Sequence, residues 1–203
     1  MNKEIAKLHI ITDSLEVIEQ TCYAGAEWIQ LRMKSHSQKE SEEKAFSAWE
    51  ICESYGAKLI VNDNVELAKK VKAHGVHLGK NDMHLAEARE YLGDEFVIGG
   101  TANTQNDVNE IESVVDYIGL GPFRFTETKR NLSPVLGLEG YTKVFSKKPI
   151  IAIGGIKETD IEKLMQTGIC GVAVSSAIAQ SKDSKEATQN FLNKLNHATV
   201  SYC

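Results

Sequence analysis

Short apolar runs alternate along the chain with longer stretches whose apolar positions recur at helical spacing. Eight runs read as strands: 8–12, 28–32, 59–62, 76–78, 96–100, 117–120, 150–153 and 172–175. They are short, rich in β-branched residues and bounded by Gly, Asp, Asn or Thr. Most are continuously apolar rather than alternating, which suits strands covered on both faces, as in parallel sheets. Between and after them lie predicted helices at 15–24, 39–55, 65–73, 84–91, 107–114, 138–145, 158–165 and 185–195. Gly25, Gly56 and Gly75 stand after helices and before strands, where a helix stop belongs.

Eight strand–helix units in succession fit either an open doubly wound sheet or a closed barrel. The count of eight favours a (β/α)8 barrel, a fold whose smallest members have about 200 residues. The chain has 203, so residues 1–203 are expected to form a single barrel domain with short loops. The longest irregular stretch, 121–137, follows the sixth strand. Loops of that length in compact domains are often functional. The tail, 196–203, is expected to be loosely held.

Composition narrows the function classes. Net charge is -5, which argues against general nucleic-acid binding but not against an anionic small molecule. No apolar run is long enough to span a membrane, and no leader-like segment opens the sequence. The four cysteines form no C-x-x-C pair, and three fall in core-like patterns; a reduced, cytoplasmic setting is expected.

In this fold the active site forms at the C-terminal ends of the strands. Read there, the predicted strands deliver Thr12-Asp13, Gln30 to Lys34, Asn62-Asp63, His77 to Asp82, Gly99 to Thr101, Thr126 to Lys129, Gly154-Gly155 and Ser175-Ser176. One rim thus collects carboxylates, cations, glycines and hydroxyls. Asp63 and Asp82 follow neighbouring strands, about 4.8 Å apart, and suit Mg2+, which takes one or two carboxylates plus phosphate oxygens. The alternative is that each caps the next helix. Gln30, Arg32 and Lys34 alternate and so are expected to point the same way, a costly direction for charge unless an anion or an ion pair answers it. Gly154-Gly155 and Ser175-Ser176, each before a helix, match the phosphate site found after strands seven and eight of such barrels. His77 is open to two readings, an acid–base group or a hydrogen-bonded structural histidine.

Together these motifs resemble the thiamine phosphate synthase family. The resemblance runs from about Leu8 to Ile178 and rests on Gln30-Leu-Arg-Met-Lys34, Asn62-Asp63, His77-Leu-Gly-Lys-Asn-Asp82, Gly99-Gly-Thr101, Asp116-Tyr-Ile-Gly-Leu-Gly-Pro122, Thr126-Glu-Thr-Lys129, Ala152-Ile-Gly-Gly-Ile156 and Ser175-Ser-Ala-Ile178. It implies that a hydroxymethylpyrimidine pyrophosphate and a thiazole phosphate are joined to thiamine phosphate with release of pyrophosphate. By the same resemblance the pyrimidine pyrophosphate is held by Gln30, Leu31, Arg32, Met33, Lys34, Asn62, Thr101 and Lys129, with Arg32, Lys34 and Lys129 stabilising the leaving group. Thr126, Glu127, Thr128, Gly155, Ser175 and Ser176 would contact the thiazole phosphate. Asp63 and Asp82 would hold one Mg2+ ion per subunit. A homo-oligomer is compatible with the sequence, which does not fix the number of copies.

The chain departs from the family pattern at Lys80, where Gln is usual, at Thr101 for a frequent Ser, at Ser175 for an apolar residue, and in Phe123-Arg-Phe before the Thr126 run. The nearest alternative is a thiazole tautomerase, which needs neither the metal nor the pyrophosphate grip. A sugar-phosphate epimerase and a barrel that only binds thiamine precursors are further alternatives.

Overall fold

The alternation of apolar runs closes on itself. In the computed structural model, which describes residues 3–34, 36–126 and 134–198, eight parallel strands pair in sequence order into a closed barrel. They are β1 (Leu8–Thr12), β2 (Trp28–Leu31), β3 (Lys58–Asn62), β4 (Gly75–Leu78), β5 (Val97–Ala102), β6 (Tyr117–Leu120), β7 (Ile150–Ile153) and β8 (Gly171–Val174). The helices are α1 (Leu15–Tyr23), α2 (Gln38–Tyr55), α3 (Val65–Lys70), α4 (Leu85–Leu92), α5 (Gln105–Ile111), α6 (Gly137–Thr142), α7 (Ile161–Met165), α8 (Ser176–Ala179) and α9 (Ser184–His197). This is the predicted (β/α)8 architecture, with β8 pairing back to β1 through Ile10 and Val174. None of the described helices is long and apolar enough to cross a membrane.

Strand alternation sorts the side chains into two apolar layers. Ile10, Ile29, Leu31, Leu59, Val61, Val76 and Ile98 face outward and pack under the helices. Ile11, Trp28, Ile60, Val97, Tyr117, Ile151 and Ala173 fill the barrel itself. Burying both faces is what permits continuously apolar strands. Helix starts are held by short polar side chains. Ser14 accepts from the Val17 amide, Asn64 from Leu67, and Ser37 and Thr104 form reciprocal boxes with Glu40 and Asp107. At the N-terminal end of β6, away from the mouth, Asp116 accepts hydrogen bonds from Arg89 at 2.7 Å, Lys3 at 3.0 Å and the Ile98 amide at 2.8 Å. Its place in the sequence motif is thus explained by tethering rather than by chemistry.

Three expectations need correction. β2 ends at Leu31, one residue earlier than expected, so the alternation does not carry on to Lys34; Lys34 lies in a bend and is exposed. Gly75 is not a helix stop: it opens β4, and a Cβ there would run into the Val97 backbone. The left-handed position after α3 belongs instead to Lys72, at φ 55°. Gly25 and Gly56 do serve as stops, at φ 97° and 70°. β8 is followed by two helices, the four-residue α8 and then α9.

Candidate active site

The β2–β4 side of the mouth carries the charge. Gln30, almost fully buried, donates from Nε2 to Asn62 Oδ1 at 2.7 Å, which locks two inward side chains of adjacent strands together. One residue past β2, the Arg32 amide donates to the Thr12 carbonyl at 3.0 Å, so its side chain is carried into the mouth. Burial lowers the Arg32 pKa, while Asp63 and Asp13 act in the opposite direction. Its planar fork of donors is thus held, still charged, at the mouth.

Asp63 does not cap α3, because Asn64 does. It adopts the left-handed conformation at φ 67°, with its amide donating to the His77 carbonyl at 2.9 Å. Such a backbone in a residue other than glycine costs about 1–3 kcal/mol and collects at functional sites. Asp82 does not cap α4 either, since His84 takes that position. Its Oδ2 accepts from the Gly79 amide at 2.7 Å, which orients the carboxylate. The capping alternative therefore falls away for both. Among the described residues no three His, Cys, Asp or Glu side chains gather as a metal-ligand group. Lys80, the departure beside them, pairs with Asp107 Oδ1 at 2.7 Å. Burial works against ionising Asp107, but the bonds from Lys80, the Asn103 amide and Thr104 outweigh it and hold its pKa below the usual carboxylate range. The extra positive charge is thereby answered locally.

The β5–β8 side is built from small and neutral groups. Thr101, Thr126, Gly155, Ser175 and Ser176 line one cavity, and Arg32 reaches it from across the mouth. Gly154 and Gly155 have φ of 102° and 66°, and a Cβ on either would press into Pro122 or Arg124. The loop after β6 is zipped onto β7 by the Phe123 amide to Ile153 O at 2.8 Å and the Arg124 amide to Gly154 O at 3.0 Å. The Arg124 guanidinium then grips both oxygens of Asp160, at 2.7 and 2.9 Å, and the Gly155 carbonyl at 2.9 Å. α8 starts at Ser176, directly at the cavity wall.

Sequence reasoning had placed most of these residues but not their mutual contacts. Arg32, Thr101, Thr126, Gly155, Ser175 and Ser176 come together in one cavity; Gln30 and Asn62 meet each other. The Leu31 side chain is fully buried under the helices and Met33 packs against the same layer, so Leu31 has only its backbone to offer a ligand. Glu127, Thr128 and Lys129 lie outside the described residues. Asn103, which lines the cavity, and the Arg124–Asp160 clamp were missed. The Phe-Arg-Phe departure was the one local hint of the clamp. His77 is buried, with Nδ1 bonded to the Tyr117 hydroxyl and Nε2 to the Thr101 hydroxyl, both at 3.0 Å.

A family model described as thiamine monophosphate synthase matches residues 5–178, most of the chain and every described element of the mouth. The chain belongs to the thiamine monophosphate synthase family. It is similar to the thiamine-phosphate synthase of Bacteroides fragilis, at 50% identity over 88% of this chain and 92% of the relative. It is also similar to the thiamine-phosphate synthase of Flavobacterium johnsoniae, at 46% identity over 94% of each chain. Among solved structures, the thiamine phosphate pyrophosphorylase from Pyrococcus furiosus superposes with a TM-score of 0.86 at 31% identity, covering 94% of this chain and 95% of that one. This member of the thiamine monophosphate synthase family is thus an enzyme, a transferase of thiamine biosynthesis.

Proposed function

We propose that this enzyme joins hydroxymethylpyrimidine pyrophosphate to a thiazole phosphate, yielding thiamine phosphate and pyrophosphate. The pyrimidine pyrophosphate lies against the charged side, with Gln30, Arg32, Lys34 and Asn62 as its partners, and Thr101 and Lys129 reach it from the other side. The thiazole phosphate lies against Thr126, Glu127, Thr128, Gly155, Ser175 and Ser176. What supports this reading most is that Arg32 and the Gly155–Ser176 cradle open on one cavity. Two anionic substrates can then be brought together from opposite sides.

Asp63 and Asp82 are suited to hold one Mg2+ ion, because both carboxylates are released from helix capping at the ends of adjacent strands. When bound, the ion supplies charge neutralisation to the pyrophosphate oxygens. The chain's own part is electrostatic and geometric. Arg32 presents a planar fork to phosphate oxygens, and its partial burial strengthens that contact as negative charge builds on the leaving group. Departure of pyrophosphate leaves a cation that the electron-rich aminopyrimidine stabilises, so no strong base is required. The thiazole nitrogen must sit on the pyrimidine methylene carbon, which is a matter of orientation. The backbone amides around Gly155 and α8 fix the thiazole through its phosphate.

The test is to supply both substrates with Mg2+ and follow pyrophosphate. Release only when both are present supports the synthase. Isomerisation of the thiazole alone indicates a tautomerase, and no turnover of either refutes the assignment.

A further inference from the structure

We propose that Tyr117 and His77 form a one-way hydrogen-bond chain that makes Thr101 a fixed donor toward the cavity, so that both act as positioning residues for a hydrogen-bond acceptor on the pyrimidine pyrophosphate. The choice of ligand rests on the function proposed above; the direction of the chain does not.

The direction follows from where the phenol proton can go. Tyr117 is buried inside the barrel, with its ring edge-on to His9 at 5.0 Å and to Trp28 at 5.5 Å. Burial raises its pKa, so it keeps its O–H. Trp28 has a donor and no acceptor. His9 Nδ1 makes no hydrogen bond and is therefore out of the phenol's reach. His77 Nδ1, at 3.0 Å, is the acceptor that remains. The reverse sense would strand a buried phenol proton, a costly arrangement.

An imidazole that accepts at Nδ1 carries its proton on Nε2. A doubly protonated ring would again leave the phenol proton without an acceptor. Nε2 therefore donates to Thr101 Oγ1 at 3.0 Å. With its oxygen accepting from His77, Thr101 directs its own proton elsewhere, and its side chain lines the cavity beside Arg32. Threonine adds stiffness at χ1 that serine lacks.

The packing around the chain points the same way. A Cβ at Gly99 would lie 2.5 Å from His77 Nδ1 and collide with the Tyr117 ring, on top of the bond between them. A Cβ at Gly119 would lie 2.9 Å from His77 Cε1. Neither glycine has positive φ, so both serve to make room for the two rings.

Two measurements test this. In 15N-histidine spectra of the ligand-free enzyme, His77 should appear as the Nε2–H tautomer; an Nδ1–H or doubly protonated ring overturns the inference whatever the activity. Tyr117→Phe should lower kcat/KM for the pyrimidine pyrophosphate about fivefold, the effect of one neutral hydrogen bond, and leave the KM for thiazole phosphate unchanged. In a Thr101→Val background the same substitution should add nothing, while Thr101→Ser should keep its sensitivity to Tyr117→Phe. Independent, multiplying effects of Tyr117→Phe and Thr101→Val would make Tyr117 a packing residue only. Should Tyr117→Phe fail to fold, the tautomer measurement on the unaltered enzyme still decides. Absence of synthase turnover with the expected tautomer would refute the proposed function and not the chain.

Discussion

From β2 to β4 the barrel mouth is furnished with charge; from β5 to β8 it is furnished with glycines and hydroxyls. Both sides are fitted to anions, but by different physics. On the first side a guanidinium is partly desolvated near Asp63 and Asp13, and the Asp82 carboxylate is oriented by the Gly79 amide. Full charges in a half-buried site give large, directional interactions, and these respond strongly to charge that develops during a reaction. On the second side the backbone itself is presented, which requires that nothing stand in front of it. Gly154 and Gly155 meet that requirement, and the Arg124–Asp160 clamp fixes the loop against them. Such a cradle suits a phosphate that does not change during a reaction. Under the proposed function, the comparison teaches that the changing anion would be met by side-chain charge and the unchanging one by backbone shape.

Three substitutions would break or sharpen that contrast. The largest effect is expected from Arg32→Ala. If the charged side stabilises the leaving group, turnover should fall by roughly 10²–10³, as when one transition-state contact is lost, with the melting temperature little changed. A change confined to KM would move Arg32 into ground-state binding and erase the contrast. Next is Gly155→Ala. Its φ of 66° and the 2.5 Å approach to Arg124 Cγ should cost more than about 1 kcal/mol, or upward of about 2–4 °C in melting temperature for a domain of this size. The KM for thiazole phosphate should rise while that for the pyrimidine pyrophosphate holds; equal changes in both would mean the two sides are not separate. The smallest effect belongs to Lys80→Gln. Lys80 is about half exposed and already paired with Asp107, so stability should move by less than about 1 kcal/mol and turnover by less than about twofold. A tenfold change in Mg2+ dependence would show that Lys80 acts on the Asp82 side after all.

Much of this was legible in the chain because the relevant signals are local. Eight apolar runs mark eight strands, and the residues ending them point to Arg32, Thr101, Gly155 and Ser176 as rim residues. The errors were also local in origin. Carrying the alternation past Arg32 to Lys34 overlooked that pairing with β1 and β3 stops at Leu31. Gly75 looked like a helix stop but is required by the neighbouring strand's backbone. The capping alternative for Asp63 stayed open because nothing in Asn-Asp-Asn says which residue will serve.

The amino-acid sequence by itself determined the elements, their order and the set of polar groups delivered to one rim, since hydrophobic period, caps and glycines act over a few residues. Only the tertiary structure decided which of those groups meet. Arg124 finds Asp160 across 36 residues and His77 finds Tyr117 across 40. Hydrogen bonds reach about 3 Å, and it is barrel closure, with strands laid side by side in fixed register, that brings such distant residues within that reach.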